Sequence, residues 1–300
     1  MHGIIIRSQS GFYTVQTEEG QWICQLRGKL KHGRQRIDLA AVGDRVEFTP
    51  LDEEKGIIEW IEPRQRMFSR MAPNPQVEYQ QVLIANPDQV VLVFACTQPE
   101  PKMGMLDRFL VMAEKQSIPV LIVVNKIDLM DLEEAQSIFD FYKELGYPVI
   151  YTSAPDQWGI EALRAALSQK LSLLTGPSGV GKSSLLNAIQ PGLGLEVSKI
   201  SRATNKGRHT TVVRELFPLE GGGYVADTPG LKALALWDIE PEELDGYFPE
   251  LRVRVGACQF NDCTHVHEPG CAVLQALEEQ KIHPSRYQSY LKMRFGDEDD

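Results

Sequence analysis

The chain has 300 residues, enough for two or three domains, and its 43% hydrophobic and 24% charged content is that of a globular chain with a full core, not of a disordered one. A formal net charge of −10 carries no global basic signature, which excludes non-specific nucleic-acid binding by bulk electrostatics and leaves any RNA contact to local patches. The longest apolar runs, around residues 90–95 and 120–124, fall far short of the ~20 residues of a membrane helix. The N-terminal MHGIIIRSQSG lacks a long apolar core and a small-residue cleavage site, so a cytoplasmic chain with no membrane partner is expected.

From residue 3 to about residue 61 the sequence is a series of short β-type runs broken by turns: GIIIRSQSGFYTVQT, QWICQLRG, VGDRVEFTP and GIIEWIEP. Strands of this length with Gly-bearing turns predict a small β-barrel, an OB-fold, over residues 1–65. Its internal loop RGKLKHGRQR carries Arg27, Lys29, Lys31, Arg34 and Arg36 without one acid. Such a run is often only solvated surface, but on an OB-type barrel it is also where nucleic acid docks. Cys24 and Cys96, each alone in an apolar run, read as buried small hydrophobes. A linker containing MAPNP follows, over residues 66–80.

Alternating β and α signals then occupy residues 81–236. The strand QVVLVFA leads to the helix MLDRFLVMAEKQ, PVLIVVNKID to the single helix DLEEAQSIFDFYKELG, PVIYTSA to GIEALRAALSQ, and LSLLTG through a glycine-rich loop to SSLLNAI. Near-continuous apolar strands in a βαβ alternation predict a mostly parallel sheet covered on both faces, with ligands at the strands' carboxyl ends.

Every sequence element of a guanine-nucleotide switch lies at such an end, but in a rotated order. NKID (125–128) and TSA (152–154) precede GPSGVGKSS (176–184), GRHTT (207–211) and DTPG (227–230). The phosphate loop comes first in an ordinary Ras-like domain, so the order predicts an α/β fold that is a circularly permuted P-loop GTPase. In GPSGVGKSS, Gly176, Pro177, Ser178, Gly179, Val180, Gly181 and Ser184 form a loop whose glycines let backbone N–H groups wrap the phosphates; Lys182 reaches the β and γ phosphates and Ser183 binds magnesium. The Asp128 carboxylate accepts from guanine N1–H and the exocyclic amine, a donor pair adenine lacks. Asn125 braces the base's other edge, Lys126 lies along the ring, and Ser153 and Ala154 present a backbone N–H to the guanine oxygen. Asp227 holds magnesium through water, Gly230 offers an N–H to the γ-phosphate, and Thr210 or Thr211, with Thr211 preferred, completes the metal shell. Leu231 follows DTPG where Ras-like proteins carry the glutamine that orients water, so His209 is the nearest candidate for that catalytic role beside Lys182 and Thr211.

Residues 237–300 form a third, helical domain with the acidic tail GDEDD. Within it Cys258, Cys263, His265 and Cys271 supply three thiolates and an imidazole, a closed tetrahedral shell for structural zinc, with His267 as the alternative imidazole.

VGDRV in a barrel, the rotated order of NKID, TSA, GPSGVGKSSLLN, GRHTT and DTPG, and then C-x4-C-x-H-x5-C with RYQSY together resemble one family over nearly the whole chain: the RsgA circularly permuted GTPases. The resemblance implies a late-acting assembly factor that binds the small ribosomal subunit and its rRNA, has hydrolysis of GTP to GDP stimulated by the subunit, and leaves afterwards. A monomer is expected. The competing expectations are a P-loop kinase or ATPase, which NKID opposes, an RNA-binding scaffold that holds nucleotide without turnover, and a GTPase of the large subunit.

Overall fold

The computed structural model describes residues 1–31, 36–71, 79–193, 214–227 and 239–296. The N-terminal strands are β1 (His2–Gln9), β2 (Phe12–Thr17), β3 (Gly20–Leu26), β4 (Arg45–Pro50) and β5 (Lys55–Ile61). The first three form an antiparallel meander; β3 pairs parallel with β5, β5 antiparallel with β4, and β4 returns to β1. That closure makes a five-stranded barrel with no free edge. Period-2 alternation turns Ile5, Val15, Cys24, Val46, Phe48 and Ile58 inward, all buried.

The segment expected as a plain linker contains β6 (Met67–Met71), which forms an antiparallel hairpin with β7 (Gln80–Ala85). Its polar, proline-bearing middle hid the strand that precedes it. Next come β8 (Gln89–Ala95), α1 (Met103–Lys115), β9 (Val120–Asn125), α2 (Leu132–Phe139), α3 (Phe141–Glu144), β10 (Val149–Thr152), α4 (Ile160–Leu167), β11 (Lys170–Thr175), α5 (Lys182–Ile189), β12 (Arg214–Pro218) and β13 (Gly223–Asp227). The single helix expected over DLEEAQSIFDFYKELG is divided at Asp140, whose carboxylate is held by the Tyr151 hydroxyl at 2.6 Å and by Lys143 at 2.6 Å.

In space the strands run β10-β9-β8-β11-β13-β12, all parallel except β12. Starting the chain at β11 instead would give the Ras-like sequence of elements, so the fold is a circularly permuted GTPase sheet. Alternate residues of β8 face opposite layers. Val90, Leu92 and Phe94 pack with Leu106, Phe109 and Leu110 of α1, while Val91, Val93 and Ala95 pack with α4 and α5.

The barrel is hydrogen-bonded onto this sheet. β1 pairs antiparallel with β12, Arg7 opposite Glu215 and Ser8 opposite Arg214, which extends the sheet to eleven strands. The VGD turn supplies a second contact. Gly43 has φ +89°, and a Cβ there would lie 2.1 Å from the Ala85 carbonyl oxygen, so only glycine lets the barrel approach β7 this closely. Fully buried Asp44 receives a two-pronged bond from Arg64, Nε to Oδ1 and Nη2 to Oδ2, both 2.8 Å. Asp38 accepts from Val82 N–H at 2.9 Å and from Arg214 Nη1 at 2.8 Å, tying the base of the basic loop to β7 and to the first residue of β12.

The C-terminal part is a 3₁₀ turn, Pro241–Tyr247, followed by α6 (Pro249–Val255), α7 (Ala272–Glu278) and α8 (Pro284–Phe295). Leu244, Phe248, Leu251, Val273, Ala276, Ile282 and Tyr290 form its core, and Val111 of α1 belongs to the same cluster. Arg286 of α8 is wholly buried at this junction. It donates to Asp107 Oδ1 of α1 at 2.7 Å and to Glu250 Oε1 of α6 at 2.7 Å, lies 4.4 Å from the centre of the Phe248 ring, and shares Asp107 with the Tyr142 hydroxyl. Burial alone would lower the Arg286 pKa; the two carboxylates reverse that and hold it above its ordinary value. Among the described residues no helix is long and apolar enough to cross a membrane.

Candidate nucleotide site and metal centre

The nucleotide motifs meet at the carboxyl ends of β9, β10 and β11. β11 ends at Thr175 and the chain turns through Gly176 at φ +145°, where a Cβ would sit 2.1 Å from the Val93 carbonyl oxygen, so the phosphate loop lies directly on β8. α5 begins at Lys182, which directs its N-terminal N–H groups at the loop. Lys182 is buried, with Nζ donating to the carbonyls of Gly176 and Pro177, both at 2.9 Å. Its ammonium is thereby held against the backbone of the glycine-rich loop. Ser178 and Gly179 are exposed at the loop's tip, Val180 is buried beneath it, and Ser183 and Ser184 are half-buried on the first turn of α5.

The NKID and TSA residues are cross-braced to the glycine-rich loop. Asn125 Nδ2 donates to the Val180 carbonyl at 2.8 Å, and Asn125 Oδ1 accepts from the Thr152 hydroxyl at 3.0 Å. Sequence reading assigned Asn125 to the base alone; its amide also joins NKID, TSA and the P-loop into one unit. Lys126 takes a left-handed φ of +67° and donates from Nζ to the Gln98 carbonyl in the loop after β8. The Ser153 hydroxyl donates to Asp128 Oδ1 at 2.8 Å and lies 3.2 Å from Asp156 Oδ2. Backbone bonds between Ser153 and Trp158, 3.0 Å each way, close the loop that carries buried Ala154. Asp156, Gln98 and Trp158 had no motif to mark them.

The Asp227 backbone ends β13 beside Leu174 of β11. His209, Thr210, Thr211, Gly230 and Leu231 lie outside the described residues. In the basic loop Arg27 pairs with Glu59, and Lys29 lies 3.9 Å from the same carboxylate, so an acid from β5 partly neutralises a run that contains none. Arg36 is described and exposed; Arg34 and the Lys31 side chain are not described.

Cys258, Cys263, His265 and Cys271 converge, with ligand atoms all within 4.8 Å of one another. Three sulfurs and one nitrogen at that spacing fit a tetrahedral divalent cation. Burial pushes the Cys263 thiol up to about 12 and raises Cys271, so ionising them calls for a cation beside them. Of the two candidate imidazoles, His265 is buried in the cluster and His267 is exposed outside it. Glu268 ties the loop down, accepting from the N–H groups of Thr264 at 2.7 Å, Val266 at 2.9 Å and His267 at 3.1 Å and from the Thr264 hydroxyl. Partial burial opposes its ionisation, but these donors hold its carboxyl well below the usual range.

A family model described as RsgA GTPase matches residues 61–237, and one described as RsgA N-terminal domain matches residues 2–58. The chain is 44% identical over 295 residues to a Gemmatimonas aurantiaca protein named small ribosomal subunit biogenesis GTPase RsgA, covering 97% of this chain and 96% of that one. A Thermotoga petrophila protein of the same name is 44% identical over 97% of this chain and 95% of its own. Among solved structures, YjeQ from Thermotoga maritima superposes with a TM-score of 0.79 at 40% identity, covering 98% and 97% of the two chains. YloQ, described as a circularly permuted GTPase, gives 0.74 at 34% identity, covering 99% and 95%. With both family models matched in order, the rotated motifs on one permuted sheet and near full-length identity to such relatives, this chain belongs to the RsgA GTPase family and is a GTP hydrolase.

Proposed function

We propose that this GTPase binds the small ribosomal subunit through its rRNA and acts late in that subunit's assembly, with GTP turnover stimulated by the subunit and release after hydrolysis. The observation that carries the reading is the near full-length match to relatives named for small-subunit biogenesis. Residues 1–65 serve as the RNA-binding barrel, 81–236 as the GTPase and 237–300 as the zinc domain, in a monomeric cytoplasmic protein.

In the reaction, water attacks the γ-phosphorus and the bond to the β–γ bridging oxygen breaks, leaving GDP and phosphate. Lys182 offsets charge on the transferring group, and the P-loop N–H groups position it. Ser183, Asp227 and Thr211 would hold magnesium, which neutralises the phosphates. His209 orients the water in place of the glutamine that Leu231 replaces. Cys258, Cys263, His265 and Cys271 hold one structural zinc. Asn125, Lys126, Asp128, Ser153 and Ala154 read guanine.

Cosedimentation with separated small and large subunits, paired with multiple-turnover GTP hydrolysis in the presence of each, tests the proposal. Binding to the small subunit and faster turnover with it are expected. Binding to the large subunit alone, or subunit binding without any gain in turnover, would sink it, the latter in favour of a nucleotide-holding scaffold.

A further inference from the structure

The two nitrogens of His265 face different chemistry. Nδ1 lies 3.7 Å from Cys258 Sγ and 3.4 Å from Cys271 Sγ, on the side where the thiols converge. Nε2 points the other way and lies 3.1 Å from Oδ2 of Asp245. The ring is wholly buried and its backbone takes φ +61°. The Tyr287 hydroxyl donates to the His265 carbonyl at 2.6 Å, so the main chain is held independently of the imidazole.

A neutral imidazole that ligates through one nitrogen carries its proton on the other, and an acceptor there fixes both tautomer and ring angle. Asp245 is placed to be that acceptor. It lies across the ring from the sulfurs and so cannot itself enter the shell. It also comes from outside the cysteine cluster, in the Pro241–Tyr247 turn. That turn is fastened to the GTPase helix α1 by Glu243, which takes Lys115 at 3.0 Å and the Tyr247 hydroxyl at 3.1 Å and closes a capping box with Glu240.

We propose that Asp245 is the positioning residue of the metal centre: it holds His265 in the Nε2–H tautomer so that Nδ1 ligates, and it links metal binding to the docking of the Pro241–Tyr247 turn on α1. The inference rests on the reading of the four residues as a zinc site. Metal loss is then felt at the GTPase surface, because the carboxylate that orients the ligand belongs to the segment that grips α1.

Nitrogen NMR of His265 in the unsubstituted, zinc-loaded full chain tests the tautomer without any risk of misfolding. The expected spectrum has Nδ1 at a metal-bound shift and a protonated Nε2; a metal-bound Nε2 would overturn the proposal. Chelator competition on Asp245→Ala should then show zinc held about 10–100-fold more weakly, with the isosteric Asp245→Asn retaining part of that loss because its amide oxygen still accepts. Zinc affinity within twofold in both variants would also overturn it. In the unsubstituted chain, chelation should speed amide exchange in 241–247 as well as in 258–271; exchange confined to 258–271 would refute the link to the turn. Metal analysis separates the two failures. Native protein without stoichiometric zinc would refute the zinc reading itself, whereas stoichiometric zinc with unaffected variants would refute only the role of Asp245.

Discussion

Ser153 brings one hydroxyl to two carboxylates, Asp128 at 2.8 Å and Asp156 at 3.2 Å, and having a single proton it can donate to only one of them. Its bond to Asp128 fixes the angle at which that carboxylate is presented. Losing a hydrogen bond to a charged group costs about 1.5–3 kcal/mol, so Ser153→Ala should weaken GTP and GDP binding about tenfold or more. Fluorescent-nucleotide titration checks this, and unchanged affinity would show that Asp128 needs no such support. Asp128→Asn should move preference from guanine towards xanthine, because an amide offers a donor where the carboxylate only accepts; undiminished GTP affinity would refute the base-site assignment. The expectation for Asp128 comes from the sequence alone, because NKxD is a motif of four consecutive residues. The Ser153 contact needed the fold, since its partner lies 25 residues away in the turn after β9.

Between elements, the contacts that hold the molecule together pair residues far apart in the chain, which is why no motif announced them. Arg286 meets Asp107 across 179 positions and Glu250 across 36. The elements themselves could be read from period: apolar runs at β8 and β9, the 3.6 repeat of α1, and the alternation of the barrel strands. What failed was local, a strand taken for linker at β6 and one helix that is two at Asp140. In both places a tertiary partner decides, β7 for the strand and Tyr151 for the helix. Removing one partner from a buried ion pair costs about 3–5 kcal/mol because the remaining charge is stranded. Arg286→Ala should therefore lower the unfolding temperature of the helical domain sharply while leaving nucleotide affinity intact, as thermal denaturation followed at that domain would report. A variant as stable as the parent would mean that the network is neutral. Gly43→Ala should likewise detach the barrel from β7, since the added Cβ meets a carbonyl oxygen at 2.1 Å at a left-handed φ. Faster proteolysis between barrel and GTPase is the expected sign, and parental resistance would contradict it.

For the whole molecule, circular permutation changes which parts of the sheet are covalently continuous with the flanking domains. Chain order alone joins DTPG to the helical domain and suggests that domain as the arm moved by hydrolysis. Spatial contacts point elsewhere. The helical domain is fastened to α1 through Arg286, Asp107, Lys115 and Glu243, on the face opposite α4 and α5. The barrel is instead hydrogen-bonded through β1 to β12, the strand that follows GRHTT in sequence and pairs with the one ending in Asp227. Arg214, at the start of β12, is also bonded to Asp38 at the base of the basic loop. Were GRHTT and DTPG to bind phosphate, strain there would reach the barrel through main-chain hydrogen bonds and an ion pair, and the helical domain only against a buried charge network. A switch acts through an element that both states bias, and β12, which follows GRHTT and carries β1, is the element expected to move. Distances between labels on α1 and on α8 should therefore be the same with a non-hydrolysable GTP analogue and with GDP on the small subunit, while distances from α1 to β2 of the barrel should differ. Movement of α8 relative to α1 with a fixed barrel would return the lever to the helical domain and show that Arg286 does not hold the junction through the cycle.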